Sequence, residues 1–132
     1  MFSKVHHVGI AVRDLDAAIE FYAKTFGVEF TYRHTVEEQG VEEAMGSVGE
    51  SWIQLLRPLS ADTPVGRYIE KRGEGVHHIG YAVDDVEGAL RALAAQGISL
   101  IDEHPRTGSM DASIAFLHPR SVGGVLTELV QE

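Results

Sequence analysis

One seven-residue stretch of this chain occurs twice. His6-His7-Val8-Gly9-Ile10-Ala11-Val12 returns, ungapped and 71 residues later, as His77-His78-Ile79-Gly80-Tyr81-Ala82-Val83. Histidine is the commonest side-chain ligand of transition metals, so a doubled His pattern asks whether the two copies converge on one ion. In an extended strand, successive side chains point to opposite faces. His7, Gly9 and Ala11 therefore share one face, and His6, Val8, Ile10 and Val12 the other. The apolar face is expected to pack under a helix, while the small-residue face leaves room in front of the His7 imidazole. The second copy divides the same way, so His7 and His78 are expected to look into a cavity, with His6 and His77 at the edge of the packed face.

Each copy is followed, near the end of its half, by a strand with an oxygen donor at the equivalent position. These are Gln54 in Ile53-Gln54-Leu55-Leu56 and Glu128 in Thr127-Glu128-Leu129-Val130. Two nitrogen and two oxygen donors in symmetric pairs suit a borderline divalent ion, Co²⁺, Mn²⁺, Ni²⁺ or Zn²⁺, with positions left for water or substrate oxygens. The chain has no Cys, which excludes a thiolate structural zinc site. A single His at a strand start is more often a surface or core-edge residue than a ligand. The repetition is what singles out His7 and His78, because packing alone gives no reason to keep a polar ring beside Gly and Ala. His34, His104 and His118 lack that context and read as loop or strand-end residues.

The elements that must position these donors also repeat. A strand over 4–12 runs into a helix over 15–26, with Asp14 as N-cap and Gly27 in the left-handed position past its end. Leu15, Ala18, Ile19, Tyr22 and Phe26 fall on one helical face. Strands follow near 28–35, 41–48 and 52–57. The second half repeats the order with a strand over 76–83, a helix over 86–96 capped by Asp84 or Asp85, and strands near 98–102, 112–117 and 124–131; Pro105 and Gly108 lie in a loop. The connector 59–74 contains Thr63-Pro64, a cap followed by Pro at the first helical position, which predicts a short helix. The fold class is thus α+β: tandem βαβββ modules (about 4–58 and 75–131) in a single domain, forming a curved sheet around a metal-containing cleft.

With 132 residues, 44% of them hydrophobic, the chain is long enough for one compact core. No stretch approaches the roughly 20 apolar residues of a membrane span, and the first residues lack the apolar core of a secretory signal. A cytoplasmic location is the expectation, supported by the absence of Cys. The formal net charge of −9 argues against nucleic acid or an anionic membrane as partner. A phosphate-bearing ligand would need a local basic patch, for which Lys71, Arg72, Arg106 and Arg120 are available.

These residues together resemble the vicinal oxygen chelate superfamily, which includes glyoxalase I, extradiol dioxygenases and fosfomycin-modifying enzymes, and within it the methylmalonyl-CoA epimerase family. The likeness spans nearly the whole chain. Its carriers are the two His-His stretches, Glu38-Gln39-Gly40-Val41, Gln54-Leu55-Leu56-Arg57-Pro58, and Phe116-Leu117-His118-Pro119 through Gly123-Gly124-Val125-Leu126-Thr127-Glu128-Leu129. The His-His stretches are shared across the superfamily; the last stretch is more particular to the epimerases.

The resemblance implies that His7, Gln54, His78 and Glu128 hold a divalent metal, Co²⁺ being the first choice. It implies an isomerase that interconverts (R)- and (S)-methylmalonyl-CoA by two-base proton transfer, with Glu43 and Glu128 as the acid/base pair, and a homodimer. Read without it, the acidic run around Glu43 is equally a charged strand edge. An acyl-CoA substrate would bring phosphates, for which Arg106, Ser109, Arg120 and Ser121 are candidate contacts; they are equally solvated loop residues. Two rivals stand beside the epimerase: a glyoxalase I-type lactoylglutathione lyase with nearly the same ligands, and a non-catalytic small-molecule binder. An Fe(II) dioxygenase fits less well, because such sites use two His and one carboxylate with open positions.

Overall fold

The computed structural model describes residues 1–132, with eight strands and three α-helices. In chain order these are β1 (Lys4–Ala11), α1 (Leu15–Phe26), β2 (Phe30–Val36), β3 (Val41–Val48), β4 (Ser51–Pro58), α2 (Pro64–Arg72), β5 (Gly75–Ala82), α3 (Val86–Ala95), β6 (Arg106–Thr107), β7 (Ser113–Leu117) and β8 (Thr127–Gln131). The chain divides into two compact units, His7–His77 and Met1–His6 with His78–Glu132, so that β1 and β5 each contribute to both.

In the His7–His77 unit the strand order is β2-β3-β4-β1. β1 and β4 run parallel, and β3 pairs antiparallel with both β4 and β2. A parallel pair needs a crossover, and α1 with β2 and β3 supplies it. α1 forms where the apolar spacing and its ends agree. The Asp14 carboxylate accepts from Ala17 N at 3.0 Å, and Gly27 takes the left-handed conformation at φ 70°. Its Leu15, Ala18, Ile19 and Tyr22 pack on Val12, Ala44 and Leu55. Phe26 departs from the expectation and is 64% exposed. It lies in the last turn, where the chain reverses at Gly27, and its ring meets Phe21 and Tyr22 instead. α2 begins as the Thr63-Pro64 pair predicts, with Thr63 Oγ1 accepting from Gly66 N at 3.0 Å. Its Val65 and Ile69 cover Ala11, Val41 and Leu56. Gly66 is required there, since a Cβ would come within 2.4 Å of the Ser60 carbonyl oxygen.

In the other unit the order is β5-β8-β7-β6. β5 and β8 are parallel, and β7 is antiparallel to β8 and β6. α3 packs Val86, Ala89 and Leu90 on Val83, Ala115, Leu117 and Leu129. Several local expectations change. Asp85 occupies the N-cap position of α3, but its side chain makes no capping bond. The orphan Val86 N–H is met from the last strand, by Gln131 Oε1 at 3.0 Å. The expected strand at 98–102 is reduced to a single Leu100↔Leu117 bridge. Ile101 N and Asp102 N both turn to the Phe116 carbonyl, and Asp102 Oδ2 takes the Phe116 N–H at 2.8 Å. A side chain thus replaces the ladder, and pairing resumes at Arg106–Thr107, inside the stretch expected to be loop. The last strand starts at Thr127 rather than 124, after a turn through Gly123 and Gly124 at φ 80° and 86°.

Candidate functional site

Residues paired across neighbouring strands share a sheet face, so the register shows which side chains sit together. In the His7–His77 unit one row on the face opposite α1 runs Gly9, Gln54, Met45. The next row runs Ala11, Leu56, Glu43, His34. His7 precedes Gly9 by two and lies on the same face. In the other unit the corresponding rows run Gly80, Glu128, Phe116 and then Ala82, Val130, Ile114, Arg106. Both halves thus place an oxygen-donor side chain beside a glycine of the neighbouring parallel strand, with a His two residues before it. The glycine has no side chain to fill the space in front of either donor.

Five polar residues on these faces are deeply buried. His7, Glu43, Gln54, His78 and Glu128 are between 2% and 5% exposed. Gln54 Nε2 donates to Glu43 Oε1 at 2.9 Å, which leaves the buried Gln54 amide oxygen for another donor or a cation. His78 Nε2 lies 3.1 Å from Glu128 Oε1. One ligand atom each from His7, His78 and Glu128 lie within 4.8 Å of one another. Burying imidazoles and a carboxylate is costly unless they are paired or coordinate a metal. Two imidazole nitrogens and a carboxylate oxygen are the donor chemistry of Zn²⁺, Co²⁺, Mn²⁺ or Ni²⁺. The residues present fit a divalent ion.

The acidic run on β3 separates by face as period two requires. Val41, Glu43 and Met45 are buried together. Glu42, on the other face, is bridged by Arg33 Nε at 2.9 Å and Arg57 Nη2 at 3.2 Å. The hydrogen bond from Arg33, reinforced by Arg57, holds the Glu42 carboxyl below the usual range against the opposing effect of burial. Glu42 is therefore the arginine-paired charge on the other face of an interior strand, and Glu43 is the buried acid.

The loop candidates are placed differently from one another. Arg120 Nη2 donates to Ser99 Oγ at 3.0 Å, and Ser121 Oγ accepts from Ser99 N at 2.9 Å. Both tie the turn after β7 to the segment after α3. His118 caps that turn, its Nδ1 accepting from Arg120 N at 3.2 Å. Ser109 begins a short 3₁₀ turn whose Met110 and Asp111 carry positive φ. Arg106 lies on the same face as Glu128, its guanidinium 5.5 Å from the centre of the Phe116 ring. Phe116 itself meets the His78 ring edge-on at 5.5 Å. No site role was expected for Phe116. The period-two alternation through Ile114 and Phe116, opposite Val130 and Glu128, was the available signal. His6, expected at the edge of the packed face, is buried with Nε2 3.2 Å from Glu132 Oε1, and His77 packs against the Tyr68 ring.

A tandem βαβββ chain that buries a His-His-Glu cluster defines a class, and the comparisons agree. The Glyoxalase/Bleomycin resistance protein/Dioxygenase superfamily matches residues 6–116, and the chain belongs to it. A solved methylmalonyl-CoA epimerase in complex with methylmalonyl-CoA and NH4+ is 43% identical and superposes with a TM-score of 0.96, covering 100% of this chain and 96% of that one. A single-residue variant of the Streptomyces coelicolor methylmalonyl-CoA epimerase, in complex with 2-nitronate-propionyl-CoA, is 42% identical at a TM-score of 0.96 with the same coverage. The ethylmalonyl-CoA/methylmalonyl-CoA epimerase of Cereibacter sphaeroides is 34% identical over 133 residues, 99% of each chain. Within the superfamily, the chain groups with the methylmalonyl-CoA epimerase family. No helix is long and apolar enough to cross a membrane.

Proposed function

We propose that this chain is a metal-dependent isomerase that interconverts (R)- and (S)-methylmalonyl-CoA, with His7, Gln54, His78 and Glu128 as metal ligands and Glu43 and Glu128 as the two proton-transfer groups. The observation that carries the reading is Glu43, a carboxylate 2% exposed, bonded to Gln54 and on the same face as His7. A sheet has no structural reason to bury an acid in that position, and the other half places Ile114 there. The names of the relatives supply the substrate.

The α-carbon of the substrate lies between a carboxylate and a thioester. Inverting it means breaking the C–H bond, leaving its electron pair delocalised into the thioester carbonyl, and forming a new C–H bond on the opposite face. Glu43 accepts the proton on one face, and a proton held on the Glu128 oxygen not given to the ion would be returned on the other; the reverse reaction exchanges the roles. Gln54 Nε2 fixes the orientation of the Glu43 carboxylate. Met45, fully buried next to Gln54 in the register, gives the site an apolar wall that helps exclude water. A bound divalent ion, Co²⁺ first among the candidates, would supply Lewis-acid stabilisation of the developing oxyanion, amounting to several kcal/mol.

The test is deuterium exchange. Metal-loaded protein is incubated with (S)-methylmalonyl-CoA in D₂O and the α-proton followed by NMR. The expected result is metal-dependent entry of deuterium with loss of stereochemistry. Persistence of the α-proton under every metal tried would overturn the reading, and turnover of the methylglyoxal–glutathione hemithioacetal would then be assayed.

A further inference from the structure

We infer that Arg106 is a specificity-determining residue, an anion-binding fork that engages negatively charged oxygens of the substrate; the inference rests on the acyl-CoA reading above. The argument begins with the face. Arg106 pairs with Ile114 on β7, and Phe116, two residues on, pairs with Glu128. Its side chain therefore belongs to the sheet face that carries His78 and Glu128. Its position is also fixed from two sides. Nε donates to Asp102 Oδ1 at 3.2 Å, and the guanidinium lies over the Phe116 ring. Asp102 is itself held, because its other oxygen accepts the Phe116 N–H. One carboxylate thus anchors both the arginine and the strand beneath it.

This arrangement spends Nε and the flat face of the guanidinium and leaves the terminal amino pair for an acceptor. That pair is the part of arginine that matches carboxylate and phosphate oxygens two at a time. Pre-ordering the side chain lowers the entropy lost when a ligand arrives. The contacts Arg106–Phe116 and Phe116–His78, each 5.5 Å, put the fork at the metal-ligand end of the face. Other arginines of the two sheets and their turns differ. Arg120 is bonded to Ser99, and Arg33 and Arg57 are occupied by Glu42 on the opposite face of their sheet. In a chain of net charge −9, a fixed cation beside the site supplies the local field an anionic substrate needs. The anionic oxygens have two possible sources, the CoA phosphates and the malonyl carboxylate.

The experiment compares wild type, Arg106→Ala and Arg106→Lys on methylmalonyl-CoA and on methylmalonyl-pantetheine, which lacks the phosphates. Arg106→Ala is expected to raise KM for the CoA ester about tenfold, the loss of one charge-assisted contact, while kcat changes much less. Arg106→Lys, which keeps the charge and loses the fork, is expected between the two. If KM for the pantetheine ester is unaffected, the phosphates are the source; if it rises equally, the carboxylate is. Either result supports the fork. Unchanged KM for both esters, with melting temperature and metal content at wild-type values, would overturn it. Failure of the epimerase reading shows itself separately, as wild-type protein that turns over neither ester. Calorimetric titration of wild type and Arg106→Ala with methylmalonyl-CoA and methylmalonyl-pantetheine would then still read the fork: a weaker affinity for either ester in the variant upholds it, and equal affinities for both refute it.

Discussion

The two halves of the chain keep one register row and break the next. Gly9-Gln54-Met45 and Gly80-Glu128-Phe116 repeat the plan of glycine, oxygen donor and apolar neighbour. One row further on, Ala11-Leu56-Glu43-His34 stands against Ala82-Val130-Ile114-Arg106. Packing accounts for Ile114, which is 3% exposed among Ala112, Val130 and Phe116. It does not account for Glu43, equally buried and charged. A duplicated scaffold that retains its donor row and diverges at the adjacent position carries an added buried acid in one half only.

Exchanging the divergent residues gives the largest expected effects. Glu43→Gln keeps the shape and removes the proton acceptor, so kcat in the deuterium-exchange assay is expected to fall by about 10²–10⁴-fold while the melting temperature stays close to wild type. If exchange persisted, the difference between the halves would be structural. The reciprocal change, Ile114→Glu, places a carboxylate where no partner corresponding to Gln54 exists, because the equivalent residue, Glu128, is itself acidic. It is expected to destabilise the fold by about 3 kcal/mol or more, read by denaturant unfolding. A neutral outcome would mean that the second half also tolerates a buried acid there.

The retained row is probed by metal content. Glu128→Gln and His78→Ala are expected to lower the bound metal measured by elemental analysis, and to abolish the rise in melting temperature on adding Co²⁺. Retention of stoichiometric metal by both variants would remove that row from the metal site.

Smaller effects separate the two helices. α1 is capped by its own Asp14, whereas α3 receives Gln131 from the last strand. Asp14→Ala and Gln131→Ala are each expected to cost about 1 kcal/mol, and Asp85→Ala close to nothing. Equal losses at Asp14 and Asp85 would contradict this asymmetry. The smallest effect belongs to the outer face of β3. The folded-state pKa of Glu42 is depressed, chiefly by Arg33, so its contribution is present above the unfolded carboxylate pKa and is lost as pH falls through the lower, folded value. Arg33 is 44% exposed at its side chain, and solvent screening keeps Arg33→Ala below about 1 kcal/mol at pH 7. In pH-dependent unfolding curves the difference should shrink on acidification.

Much of the plan is legible in the chain because it rests on local rules. α1 lies between Asp14 and Gly27, α2 starts at Thr63-Pro64, and β3 and β4 fall where alternating burial puts them. The faces of His7, His78, Gln54 and Glu128 follow from period two. Legibility fails where a distant group takes over a local task. Phe116 N–H bonds to Asp102 rather than to a strand at 98–102, and Val86 N–H bonds to Gln131 rather than to Asp85. Phe26 satisfies the helical spacing, yet it lies in the turn where α1 ends and remains exposed.

The sequence by itself determined the repeat, the alternation of faces and which residues are candidate donors, since these depend only on residue type and on the two- and 3.6-residue periods of strand and helix. The tertiary structure alone decided that the buried acid, Glu43, meets Gln54 Nε2, that Arg33 and Arg57 neutralise Glu42, and that Arg106 is held over Phe116. Those outcomes depend on strand register and on side chains far apart in the chain, and no local period encodes them.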